Sequence, residues 1–130
     1  MAKLSVSITT SDQTKNINYP SKSIAVTTGA GEQTGSISTT TSEGSITIDT
    51  QISSGGNGPG LLLLRNLSTT AAESIEIGTA TAVYPIKLNA ADGVDMNWAA
   101  LPLNSTTLTI FHKAASGTPQ LWFMIYERGV

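Results

Sequence analysis

The sequence predicts an all-β protein, an antiparallel β-sandwich of jelly-roll-like or immunoglobulin-like type with little or no helix. Three observations predict it. Aliphatic and hydroxyl residues alternate with a period of two, β-branched residues are enriched throughout, and turn residues recur about every ten positions.

The first strand is read from Leu4, Val6 and Ile8, which alternate with Ser5, Ser7 and Thr9. Successive side chains of a strand point to opposite faces, so the three aliphatics share one face. The same alternation marks residues 45–52 and 74–77, and shorter candidates lie at 23–28, 35–40, 83–88, 106–113 and 120–127. Turns are marked by Gly29-Ala30-Gly31, Glu43-Gly44, the glycine-rich run at 55–60, Asp92-Gly93 and Ser116-Gly117. Residues 38–43 lie between the similar words Gly35-Ser36-Ile37 and Gly44-Ser45-Ile46 and read as a hairpin tip. The one helical candidate, residues 97–101, would be ended by Pro102.

A chain of 130 residues is expected to form one β domain, 1–130. Its halves differ. Before Gly60 the large side chains are Ile and Val, with Tyr19 and Leu4 the lone aromatic and leucine; after it come Tyr84, Trp98, Phe111, Trp122, Phe123 and Tyr126. The main core is therefore placed at 61–130, with Leu63, Ile75, Ile77, Tyr84, Ile86, Leu88, Phe111, Leu121, Phe123 and Ile125 among its buried residues. The Ser/Thr-rich segment 1–54 borrows its core from the second half or from a neighbouring subunit, and 55–60 is a Gly-rich joint.

Composition narrows the partners. Charged residues are 12% of the chain, and Ser and Thr about a quarter. Such a polar but sparsely charged surface repels neighbours weakly and suits a protein that sits in contact with others. A hydrophobic content of 39% with a net charge of −2 argues against disorder. The seven basic residues are scattered singly, so no stripe exists to neutralise phosphates and no nucleic acid is expected as partner. The longest aliphatic block is the four leucines at 61–64, and the N-terminus lacks the apolar stretch of a secretory signal, so no membrane is expected either. The absence of cysteine removes disulfides, thiolate nucleophiles and Cys-based zinc sites.

No catalytic set emerges, and no cofactor or metal is expected. His112, the single histidine, has no G-x-S-x-G nucleophile elbow to serve and reads as a strand residue with one face to solvent. Glu73 with Glu76, or Asp92 with Asp95, would supply paired carboxylates for glycoside hydrolysis, and Asp92-Gly93-Val94-Asp95 part of a calcium loop. The ligand count is too low, and a turn with solvated acids is the plainer reading. The 55–60 run lacks the Lys-Ser/Thr of a phosphate-binding loop. Alternation sets Trp122, Met124 and Tyr126 on one face of their strand and Leu121, Phe123 and Ile125 on the other. Both faces are apolar, which favours a strand buried on both sides, either central in a sandwich or covered by a partner, over a sugar-stacking platform.

The order of motifs in the second half resembles a known class. Leu62-Leu63-Leu64-Arg65-Asn66-Leu67, then Glu73-Ser74-Ile75-Glu76-Ile77-Gly78, then Tyr84-Pro85-Ile86-Lys87-Leu88, precede a Lys113-Ala114-Ala115-Ser116-Gly117-Thr118 hairpin. This run, roughly residues 60–128, resembles small all-β virion proteins of tailed bacteriophages. The resemblance implies a non-enzymatic virion structural protein, assembled in the host cytoplasm, that decorates or cements the capsid. A neck or tail component is the alternative within that class, and a carbohydrate- or receptor-binding module the alternative outside it. The implied partners are further copies of the chain, as a trimer, and other virion proteins such as the major capsid protein.

The N-terminal strand carries the most specific expectation. Exposed edge strands are normally blunted by charge, proline or a bulge, and none occurs from Leu4 to Thr10. Leu4, Val6 and Ile8 are therefore expected to contact another subunit or the shell.

Overall fold

The computed structural model describes residues 2–6, 22–26, 31–90 and 97–128. The described residues form ten strands: β1 (Ala2–Val6), β2 (Lys22–Val26), β3 (Glu32–Ser38), β4 (Gly44–Thr47), β5 (Pro59–Asn66), β6 (Ile75–Gly78), β7 (Ile86–Leu88), β8 (Trp98–Pro102), β9 (Thr109–Ala114) and β10 (Gln120–Glu127). β1 and β2 pair antiparallel as a sheet of their own, with Leu4 opposite Ile24 and Val6 opposite Lys22. The other eight form two four-stranded sheets: sheet 1 in the order β3-β10-β5-β8 and sheet 2 in the order β4-β9-β6-β7.

That order is the winding of a jelly roll. β3 pairs with β10, β4 with β9, β5 with β8 and β6 with β7, all antiparallel. The eight strands are thus one long doubled ribbon, rolled so that successive pairs fall alternately into sheet 1 and sheet 2. The additional pairs β10·β5 and β9·β6 close each sheet. Of the two sandwich types the sequence left open, this double-sheet winding selects the jelly roll.

The inner faces meet in one core. Sheet 1 contributes Leu62, Leu64, Leu121, Phe123 and Ile125; sheet 2 contributes Ile46, Ile75, Ile77, Leu88 and Ile110. Ile48 and Ile52, which follow β4, complete it. Side chains of this kind contribute roughly 1.5–3 kcal/mol each on full burial. Six residues expected in the core are buried: Ile75, Ile77, Leu88, Leu121, Phe123 and Ile125. The other four, Leu63, Tyr84, Ile86 and Phe111, are half-buried. Leu63 and Phe111 occupy the alternate positions of β5 and β9, which the pleat turns away from the core.

Two local expectations are corrected. Residues 97–101 are not helical: β8 runs from Trp98 to Pro102 along β5, with Ala99 and Leu101 packed on the core. Pairing to a preformed neighbour overrides the weak helical preference of two alanines. Pro102 is tolerated because β8 is an edge strand. Residues 38–43 are not a hairpin tip, because β3 and β4 lie in different sheets. The segment arches from one sheet to the other beside the β9–β10 connection. The Thr39 N–H and hydroxyl both donate to the Pro119 carbonyl, at 2.9 and 2.8 Å, and the Ala114 N–H donates to the Thr40 carbonyl at 2.7 Å.

The glycine-rich run is held by hydrogen bonds at both ends. The Gly55 N–H donates to Thr50 and the Gly58 N–H to Ile52, while the Asn57 N–H donates to a Glu127 carboxylate oxygen at 2.6 Å. Gly58 has φ +84 and abuts the Ser105 carbonyl, a conformation and a space that only glycine tolerates. Pro59 and Gly60 already belong to β5.

Candidate interaction face

The outer face of sheet 1 is the most distinctive surface among the described residues. Strand registers set its side chains in three rows across the four strands. The first row is Ser36, Trp122, Arg65 and Trp98; the second Thr34, Met124, Leu63 and Ala100; the third Glu32, Tyr126, Leu61 and Pro102. The face is partly open. Trp98 is 39% exposed, Arg65 is exposed, and Trp122, Met124, Tyr126 and Leu63 are half-buried. Only Leu61 is closed off. β10 is therefore central in its sheet, with its Leu121 face buried in the core and its Trp122 face half-buried within this chain.

Trp, Tyr, Met and Arg are the residues enriched at protein interfaces, and a flat array of them is costly to leave in water. Burial pushes the Tyr126 hydroxyl pKa up, with Glu32 beside it adding to the shift. Arg65 and Trp98 were not anticipated as site residues. The alternation of β5, with Leu61, Leu63 and Arg65 on one face, carried the signal for the first; reading 97–101 as helix hid the second.

His112 is not half open to solvent. It is 3% exposed, faces inward between Ile110 and Ala114, and neither ring nitrogen has a hydrogen-bond partner. Burial therefore depresses its pKa, slightly offset by Glu43. Glu43 itself accepts the Tyr84 hydroxyl proton and the Ala82 N–H. These bonds hold its carboxyl below the usual carboxylate range, the tyrosine contributing most. The same bond pushes Tyr84 up to about 12.

The paired carboxylates diverge. Glu73 accepts the Ser68 hydroxyl in the loop after β5, whereas Glu76 lies on the outer face of sheet 2 in register between Lys87 and Lys113. Asp92 and Asp95 lie outside the described residues. Among the described residues no three potential metal ligands cluster. An apolar cleft of about 140 Å³ opens where β7 and β8 part the two sheets, lined by Leu62, Ile77, Pro85, Ile86, Leu101 and Leu103 among others.

For the N-terminal expectation, Leu4 and Val6 lie on β1, paired through the backbone to β2 of the same chain, while Ile8 lies outside the described residues. No helix among the described residues is long and apolar enough to cross a membrane. Comparisons with protein-family models, curated proteins and solved structures give no match for this chain.

Proposed function

We propose that the protein is a non-enzymatic virion structural protein that decorates or cements a phage capsid through protein–protein contacts. The observation that carries this reading is the open outer face of sheet 1, where eight of twelve registered positions hold neither charge nor hydroxyl-only side chains. A monomer in water gains nothing from that surface; an assembled shell component buries it. Two further features support it. The jelly roll is a fold of viral capsid domains, an argument by analogy, since lectin domains and cupins share it. β1 and β2 form a two-stranded sheet of their own, and a two-stranded ribbon by itself is marginal in water, so docking against a neighbour stabilises it.

The test is direct. Particles purified from infected cells are examined for the protein by mass spectrometry and by labelling in electron micrographs. Its regular presence on the shell supports the reading; recovery only in the soluble fraction defeats it, and a location at the neck or tail moves it to the alternative station.

One observation favours a second reading, a carbohydrate-binding module. Trp98 and Trp122 flank Arg65 in one row, and indoles beside a guanidinium form a surface that sugars stack on and hydrogen-bond to. Quenching or shift of tryptophan fluorescence by host surface glycans, lost in Trp98→Ala, would favour it.

A further inference from the structure

We infer that the outer face of sheet 1 mates with the same face of a second copy across a two-fold axis at Met124, so that Arg65 of each chain meets Glu32 of the other. The inference rests on the reading of this face as a protein contact and names its partner.

Across the twelve registered positions, Arg65 and Glu32 are the only charged residues. They stand two strands and four residues apart, roughly 16 Å at a strand spacing of about 4.8 Å and a rise of about 3.4 Å per residue. They are too far apart to pair within one chain. Arg65 is on β5 in the Trp122 row, and Glu32 on β3 in the Tyr126 row. Met124 lies on β10, the strand between β3 and β5, and in the row between those two. It therefore marks the midpoint of the Arg65–Glu32 diagonal.

A two-fold axis lying in the interface through that midpoint, perpendicular to the diagonal, exchanges the two charged positions. Each arginine then faces the other copy's glutamate, and both ion pairs form at once. This is the self-complementarity that an isologous contact requires. The axis runs oblique to the strands, so the two sheets cross steeply, nearer the orthogonal than the aligned class of sheet packing. A three-fold ring would use two different surfaces and satisfy one such pair per contact.

Area sets the strength. Four strands of five to eight residues present roughly 400–500 Å² per copy, about 1,000 Å² in total, at the lower limit of a specific interface. The dimer is accordingly concentration-dependent, with its apolar centre at Met124 and Leu63 and its charges toward the rim. This use of the face leaves the N-terminal hairpin free for attachment to the shell.

The experiment is sedimentation velocity on the full chain from about 1 to about 200 micromolar, the range in which a weak specific dimer dissociates. Arg65→Glu alone and Glu32→Arg alone are each expected to raise the dimer dissociation constant at least about tenfold, by placing like charges opposite one another. The double variant Glu32→Arg/Arg65→Glu restores the pairs with reversed polarity and returns the constant to within about threefold of the parent. Denaturant unfolding of each variant checks that the sandwich is intact. A monomer at every concentration, a trimer, a dimer indifferent to the single changes, or a double variant that stays dissociated overturns the inference. So does a monomer whose face binds glycans. Incorporation into particles is scored separately: a monomer that still enters them overturns the two-fold contact alone, and a dimer absent from them overturns the structural role alone.

Discussion

Gly44 lies directly against the ring of His112. The two residues are register partners on β4 and β9, and a Cβ on Gly44 would collide with the imidazole Cε1 and stand 3.0 Å from Nε2. The absent side chain makes the room in which a ring can be buried inside a sheet whose inner face is otherwise aliphatic. Gly44→Ala is therefore expected to destabilise the fold by about 1–3 kcal/mol, the usual cost of overpacking. Denaturant unfolding with an unchanged m-value would show it; an unaltered midpoint would mean that the ring moves aside freely.

The imidazole itself makes folding pH-dependent. His112 has a folded pKa below its ordinary value of 6.5, because burial disfavours the charged ring. In acid the unfolded chain then binds a proton that the folded chain resists. Stability is full above pH 6.5 and is lost as the pH falls through the lowered folded value. His112→Leu removes both unpartnered nitrogens. It is expected to raise stability by about 1–3 kcal/mol at low pH and to flatten the profile between pH 7 and about 5. Thermal unfolding across that range would decide, since a variant as acid-sensitive as its parent would place the titrating group elsewhere.

Tyr84 and Glu43 give a spectroscopic reading of the arch between β3 and β4. The tyrosine hydroxyl, bonded to the Glu43 carboxylate, titrates at about 12. Glu43→Gln removes the negative acceptor, and the Tyr84 pKa is expected to fall back toward 10. Ultraviolet difference titration of each protein against its Tyr84→Phe counterpart isolates the one tyrosine. No change between the two titrations would remove Glu43 as the cause.

Asn66 is a buried polar clasp at the end of β5. It is fully enclosed, its amide donates to the Glu73 carbonyl at 2.8 Å and the Leu88 carbonyl at 3.3 Å, and its oxygen accepts the Ser68 N–H at 3.0 Å. Asn66→Ala leaves backbone groups without partners and is expected to cost about 2–5 kcal/mol. Equilibrium unfolding that shows less than about 1 kcal/mol would mean that water replaces the amide.

Deleting residues 2–10 removes β1 and leaves every pairing of the two four-stranded sheets untouched. The truncated chain is expected to keep its unfolding temperature and to lose attachment to particles. Normal incorporation with a loss of several degrees would assign the strand to the chain's own core instead.

Local pattern alone determined that the chain is all β, and it located β10 to the residue and β6 nearly so. Period-two alternation is written into neighbouring residues, and each strand displays it whatever its partners. The same alternation sorted Trp122, Met124 and Tyr126 from Leu121, Phe123 and Ile125. Pairing was a different matter. Which strand lies beside which depends on contacts between residues as far apart as Gly35 and Phe123, and nothing local encodes them. Tertiary structure alone therefore chose the jelly roll, turned residues 97–101 into an edge strand and carried the 38–43 segment across to the other sheet. It buried His112 beneath Gly44 because β4 happens to be that strand's neighbour. It also assembled Trp98, Arg65 and Trp122 into one row, which requires three strands far apart in the chain to lie side by side at one register.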